Sequence, residues 1–200
     1  YLKLLSICSF TTMFGTLPKI GRKAVNALGN TEGCIIVLDK SSSPKRVIKL
    51  IARGSMSFFL TVKMFLAELF RKDNSISGEF ESVRSNNELL VLLEKYRPSV
   101  VILFRAGLII NSKVIDSGIP LLNIHCAKVP EYGGLGSISR ALTDKAFDQC
   151  ATMHRVTVKI DEGEVIDTLN YRLDPSVSYS QNEEIAYNAG IELLKKRVKN

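Results

Sequence analysis

Two short apolar runs separated by one helical stretch constrain this chain more than any other feature. "LKLLSICSF" and "CIIVLD" each end in polar or turn residues, the way buried parallel strands read. Between them, "LPKIGRKAVNALGN" places Ile20, Ala24, Val25 and Leu28 on one helical face and closes on Gly29-Asn30, a helix stop. A strand, a helix and a second strand form a βαβ unit. Such units build α/β sheets, which bind ligands beyond the carboxyl ends of their strands.

The pattern continues along the chain. "SVVILFRAG" reads as a third buried strand, preceded by the amphipathic helix "NNELLVLLEKYRP", which Pro98 stops. "LLNIH" is the next strand, entered through the turn from Gly118 to Pro120. "TMHRVTVKI" and "GEVIDTLNYRL" read as a hairpin-like pair around an Asp-Glu-Gly turn. "QNEEIAYNAGIELLKKRV" closes the chain as an amphipathic helix with acids early and bases late, as the helix dipole favours. The expected fold is therefore an α/β, mostly parallel sheet flanked by helices, with an antiparallel strand near the C-terminal part.

Two hundred residues suffice for one well-packed domain, and residues 1–200 are read as one. The chain opens at Tyr1 rather than Met, so a piece trimmed from a longer protein is expected. "YLKLLSIC" is too short an apolar run for a signal peptide. The net charge of +7, with basic residues gathered at Lys19–Lys23, Lys40–Arg53 and Lys195–Lys199, suits an anionic ligand, a nucleic acid or simply a solvated surface. Cys8, Cys34, Cys126 and Cys150 show no CxxC spacing, and no histidine cluster completes a zinc site, so no metal is expected. Their apolar surroundings point to reduced thiols and a cytoplasmic protein. "SMSFFLTVKMFLAELF" is apolar on nearly all sides but falls short of the roughly 18 apolar residues of a spanning helix. A core or homodimer-interface helix is the favoured reading. A membrane-surface contact, helped by the flanking Lys45, Arg46, Lys49, Arg53, Arg71 and Lys72, is the less favoured one.

The polar residues expected near the carboxyl edge of the sheet are Asn123, His125, Thr152, His154 and Asp161. Asn123 and His125, two residues apart on a strand, share a face. An amide could donate to an oxyanion, and a carboxylate beside an imidazole makes an acid–base pair. The bland alternative is that Asn123 and His125 bond loop backbone and Asp161 caps a turn, since N-x-H and D-x-G are frequent patterns. Ser137 and Ser139 lack a G-x-S-x-G elbow, which disfavours a serine hydrolase. No G-x-G-x-x-G follows the first strand, which counts against a nicotinamide site.

From about Val100 to Asp167 the chain resembles the catalytic half of the 10-formyltetrahydrofolate-dependent formyltransferases, with their Rossmann-like formyltransferase fold. That family includes enzymes acting on methionyl-tRNA, on glycinamide ribonucleotide and on nucleotide-linked amino sugars. "AGLII" resembles the family's folate-site segment, "LLNIH" its N-x-H motif, and "VPEYGGLGSISRAL" its L-P-x-[WY]-R-G loop and following helix. "CATMHRVTVKIDEGEVI" resembles G-[VT]-T-[IV]-H, then seven residues to Asp and x-G-x-[IV]-[IL]. The resemblance implies Asn123, His125 and Asp161 as catalytic residues, with Asn123 and His125 stabilising the tetrahedral intermediate and Asp161 assisting proton transfer, and 10-formyltetrahydrofolate as co-substrate. It assigns Ala106, Gly107, Leu108, Ile109, Ile110 and Gly163 to the cofactor. Tyr132, Gly133, Gly134, Thr152 and His154 fall to the substrate loop, with His154 in a supporting role. The implied reaction transfers a formyl group to a small-molecule primary amine and needs no metal.

Departures from the pattern are Val129 for Leu, Gly133 for Arg, Cys150 for Gly, and Cys126-Ala127 where Pro-Ser or Gly-Ser is common. Where glycinamide ribonucleotide enzymes carry a Ser-Gly-x-Gly-[ST]-Asn phosphate loop, this chain reads "CSFTTMFGTLPK", with Ser9, Thr11, Thr12 and Gly15 as the available groups. The favoured acceptor is therefore an amino sugar on a nucleotide, with glycinamide ribonucleotide as the alternative and nucleic acid less favoured. A non-catalytic folate- or nucleotide-binding module is the alternative of another class.

Overall fold

In the computed structural model of the chain, residues 4–9, 19–28, 33–41, 51–52, 58–70 and 80–199 are described. The first βαβ unit forms where its pattern puts it. β1 (Leu4–Ser9) and β2 (Cys34–Asp39) pair in parallel, from Leu4 with Cys34 to Ser9 with Asp39, and α1 (Lys19–Leu28) connects them. After α2 (Phe58–Phe70) come β3 (Glu81–Val83), α3 (Asn86–Tyr96) and β4 (Val100–Phe104). The chain continues through α4 (Ser112–Ile115), β5 (Leu121–His125), α5 (Ser137–Thr143), β6 (Asp148–Arg155), β7 (Val165–Arg172) and α6 (Tyr179–Lys199).

The seven strands form one sheet in the order β3-β2-β1-β4-β5-β6-β7. β1 to β5 run parallel, and β6 pairs antiparallel with both β5 and β7. Alternation along β4 feeds two cores. Ile102 and Phe104 pack with Ala24, Val25 and Leu28 of α1 and with Ala186, Ile191, Leu193 and Leu194 of α6. Val101 and Leu103 face the other way, toward Leu89, Leu92 and Leu93 of α3. α3 is closed at both ends by local chemistry. Ser85 Oγ accepts the Glu88 N–H, Glu88 in turn accepts the Arg84 N–H, and Arg97 adopts a left-handed conformation just before Pro98.

Two expectations are corrected. Glu81–Val83 is a strand of three residues, too short to show a period, so Val100–Phe104 is the fourth strand and not the third. The strand expected over "TMHRVTVKI" begins earlier, at Asp148, and stops at Arg155. Val158 and Ile160 have strand-forming side chains but no neighbour to pair with, and both are exposed. The apolar stretch does form a helix, and its described side chains are partly exposed rather than all in the core. Phe58 and Phe59 of α2 are 69% and 73% exposed, while Ala67 is buried. Among the described residues, no helix is long and apolar enough to cross a membrane. The flanking Lys45, Arg46, Lys49, Arg53, Arg71 and Lys72, and Thr11, Thr12 and Gly15 after β1, lie outside the described residues.

Candidate active site

The apolar pattern breaks on β5. Leu121 joins the α3-side core, but Asn123 and His125 follow it on that same face. The register then sets Asn123 opposite His154 and His125 opposite Thr152 of β6. A polar group buried there without a partner would cost about 1–3 kcal/mol. Two loops supply the partners.

The first loop, residues 156–164, carries Asp161 in a left-handed conformation (φ 55°), which aspartate tolerates better than most residues. Asp161 Oδ1 accepts the Asn123 amide at 3.2 Å and lies 3.3 Å from His154 Nε2. Its Oδ2 accepts the Gly134 N–H at 2.7 Å and lies 3.5 Å from His125 Nδ1. The second loop, after β5, wraps the other side of His125, whose Nε2 meets the Tyr132 carbonyl at 2.8 Å. The two loops thus bring Asn123, His125, His154 and Asp161 into one polar network.

The electrostatics follow from this enclosure. Burial pushes the His125 pKa below its ordinary value of 6.5, and the Asp161 charge offsets only part of that. Burial alone would raise the Asp161 pKa, but the His154 contact, the His125 charge and the Gly134 N–H outweigh it and bring it down to about 2. At neutral pH the site therefore holds a carboxylate beside a neutral imidazole. That imidazole sits between two oxygen acceptors, Tyr132 O and Asp161 Oδ2. A neutral ring can donate to one of them, and a protonated ring to both, so the two acceptors offset part of what burial costs a proton there.

His154 is almost fully buried, and its ring is fixed from both sides. Nδ1 lies 3.0 Å from the Arg155 carbonyl, an acceptor for a proton on that nitrogen. Nε2 lies 3.1 Å from the Asn123 amide nitrogen and 3.3 Å from Asp161 Oδ1, so it accepts from the amide or donates to the carboxylate according to its tautomer.

The loop glycines have steric reasons. A Cβ at Gly133 would stand 3.1 Å from the Asp161 Cβ, and Gly134 has φ 75°. The guanidinium of Arg140 on α5 bonds the Gly133 carbonyl, and the Tyr132 phenol donates to Asp144 at 3.3 Å. A Cβ at Gly163 would overlap the Arg155 carbonyl oxygen, so Gly163 closes the base of the Asp161 loop, where Arg155 N–H also bonds Glu164 O. Thr152 is buried and donates to the Ala127 carbonyl at 3.0 Å, pinning the chain just after His125. Cys126-Ala127, unusual by motif, fills core. The Cys126 thiol packs against Gly190 and Phe104 with its pKa pushed up to about 12, its carbonyl accepts the Tyr171 hydroxyl, and Ala127 is fully buried.

Residues Ala106–Ile110 leave the carboxyl end of β4, next to β5. Ala106 and Leu108 pack on the same α3-side cluster as Val156, which begins the Asp161 loop. Both segments therefore lie on the α3 side of the sheet, the side that Asn123 and His125 share with Leu121. Sequence reasoning missed Asp39 and Asn86, which hold the Ala106–Ile110 segment through its backbone. One signal was present: Asp39 is a lone carboxylate ending an apolar strand, at the sheet edge where ligands bind.

A family model described as Formyl transferase matches residues 38–196. The methionyl-tRNA formyltransferase of Fervidobacterium nodosum is 26% identical over 121 residues, covering 60% of this chain and 39% of that protein. The chain thus spans about two fifths of that relative's length. Among solved structures, phosphoribosylglycinamide formyltransferase from Streptococcus pneumoniae superposes with a TM-score of 0.64 at 19% identity, covering 100% of this chain and 98% of that one. A candidate sugar N-formyltransferase from Mycobacterium tuberculosis gives 0.64 at 12% identity, covering 100% and 67%. At those identities the superpositions carry the fold, whereas the family match runs through β4, β5, β6 and the whole polar network. The chain belongs to the formyl transferase family.

Proposed function

We propose that this chain transfers a formyl group from 10-formyltetrahydrofolate to a primary amine, with a nucleotide-linked amino sugar as the favoured acceptor. The observation that carries the reading is the closure of Asn123, His125 and Asp161 into one network on the α3 side of the sheet, the side on which Ala106 and Leu108 also pack. The residues present fit the donor. Ile109 is 58% exposed beside the half-buried Leu108, an apolar seat for a flat ring.

The donor, when bound, supplies an activated formyl carbon. The chain supplies charge stabilisation and proton transfer. Asn123 directs its amide nitrogen toward the site centre, donating to Asp161 and lying 3.1 Å from His154 Nε2. Turning an amide proton toward the formyl oxygen as it gains charge gives a directed donor. An amine attacks only when neutral, and it becomes positively charged as the new C–N bond forms. His125, neutral at working pH, accepts that proton and returns one to the leaving nitrogen, while the Asp161 carboxylate stabilises the imidazolium between them. In the resting arrangement the Tyr132 carbonyl occupies His125 Nε2, so reactant binding must exchange that contact.

The acceptor preference rests on the absent Ser-Gly-x-Gly-[ST]-Asn string after β1 and on the net charge of +7, which suits a nucleotide diphosphate. The test is tetrahydrofolate release with a panel of amines: nucleotide-linked amino sugars, glycinamide ribonucleotide and methionyl-tRNA. Turnover on the sugars is expected. Turnover on glycinamide ribonucleotide alone would replace the acceptor, and donor binding without turnover on any amine would replace the enzyme with a binding module.

A further inference from the structure

Asp39 is fully buried at the carboxyl end of β2, yet neither of its oxygens faces the polar network. Oδ2 accepts the backbone N–H groups of Gly107 and Leu108 at 2.7 and 2.8 Å, across the end of β1. Oδ1 accepts the Ser41 N–H at 2.7 Å. A second side chain holds the next residues of the same segment. Asn86, the first residue of α3, donates to the Ile109 carbonyl at 3.0 Å and accepts the Asn111 N–H at 3.1 Å.

We infer that Asp39 is a positioning residue for the formyl donor: with Asn86 it clamps the backbone of residues 107–111 into the shape that the donor meets. This rests on the function proposed above, because the clamped segment matters to catalysis only as the donor's seat. The residue type follows from the donors present. Among the described residues three N–H groups converge on Asp39 and no acceptor does, so a carboxylate satisfies all of them, while an amide would aim its own NH₂ at a backbone N–H. Full burial keeps Asp39 from touching either reactant. The clamp leaves Ile109 projecting outward instead of folding into the core, and residues 107–111 belong to no regular element that would otherwise fix them.

The test compares the parent chain with Asp39→Asn and Asn86→Ala. For Asp39→Asn, KM for 10-formyltetrahydrofolate is expected to rise about tenfold or more, with kcat at saturating donor and KM for the amine within about threefold of the parent. Amide hydrogen exchange at Gly107 and Leu108 should quicken about tenfold in parallel. Asn86→Ala, at a partly exposed helix start, should raise the same KM about two- to fivefold with only a small fall in melting temperature, and it keeps the test open if Asp39→Asn folds poorly. Faster exchange at Gly107 and Leu108 with an unchanged donor KM overturns the inference. So does a fall in kcat with donor KM unchanged. A parent chain that neither binds the donor nor turns over any amine overturns the proposed function and, with it, the donor role of the clamp, even where the exchange data still show the clamp itself.

Discussion

β4 and β5 are neighbours in register, and their α3-side faces have opposite chemistry. Val101 lies beside Leu121 and Leu103 beside Asn123, so one step across the sheet turns a buried leucine into an amide. On β4 the face is apolar throughout and packs on Leu89, Leu92 and Leu93. On β5 it is apolar at Leu121 and polar from Asn123 onward. The difference shows what a sheet needs in order to carry chemistry. An apolar position needs only a helix above it, whereas each polar position needs its own partners, here drawn from Asp161, Gly134, Tyr132 and His154.

The largest break in that contrast is on the β5 side. His125→Ala should lower kcat/KM by about 10²–10⁴, the usual contribution of a general acid–base group, with little change in melting temperature. Asn123→Leu copies Leu103 across the strand gap. It should cost turnover about 10²–10³, as loss of an oxyanion donor does, while the fold persists. Steady-state rates beside thermal unfolding check both. A His125→Ala chain within a few-fold of the parent rate removes His125 from the chemistry.

The reciprocal change is Leu103→Asn, which puts the β5 chemistry on β4 without its loops. Leu103 is 4% exposed and surrounded by apolar side chains. The loss of packing and an unpaired amide together should cost about 3–5 kcal/mol, read from denaturant unfolding. A cost below about 1 kcal/mol would mean that the β4 face tolerates polarity and that the loops over β5 are not what makes the difference.

The extent to which this contrast was legible in the sequence follows the same physics. The strands and helices with strong periods, such as Cys34–Asp39, Asn86–Tyr96 and Leu121–His125, stand where the patterns put them. The adjacency of Asn123 and His125 on one face needed only the two-residue period of a strand. Asp161 was nameable by motif, but its reach back over β5 was not, because a loop of nine residues carries no period. Asp39 and Asn86 escaped for another reason: their partners are backbone N–H and C=O groups, which every residue has and no sequence marks. The outward face of α2 was equally unreadable, since a helix apolar on nearly all sides does not say which side the rest of the chain covers.

The pH dependence sharpens the comparison further. His125 acts as a base only when neutral, so turnover should fall as pH drops through a pKa below 6.5. Asp161 stays ionised down to about 2 and contributes no limb above that. Asp161→Asn keeps the shape but removes the charge that pulls the His125 pKa up. The acid limb should therefore move to lower pH, on top of a fall in rate. A limb that stays in place or moves to higher pH would mean that the carboxylate does not act on His125.

The smallest expected effect is at Thr152, on the same face as His154 but outside the proton chemistry. Its hydroxyl donates to the Ala127 carbonyl and so ties β6 to the turn that follows His125. Thr152→Val keeps the volume and leaves that carbonyl unpaired in the core, at about 1–2 kcal/mol of stability. Because the bond fixes the backbone beside His125 but not its ring nitrogens, kcat should fall only about two- to fivefold and the acid limb should stay where it is. A shifted limb would show instead that the Thr152 tie reaches the imidazole. Thr152 would then belong with Asn123, His125 and His154 as part of the network rather than with the apolar scaffold that carries it.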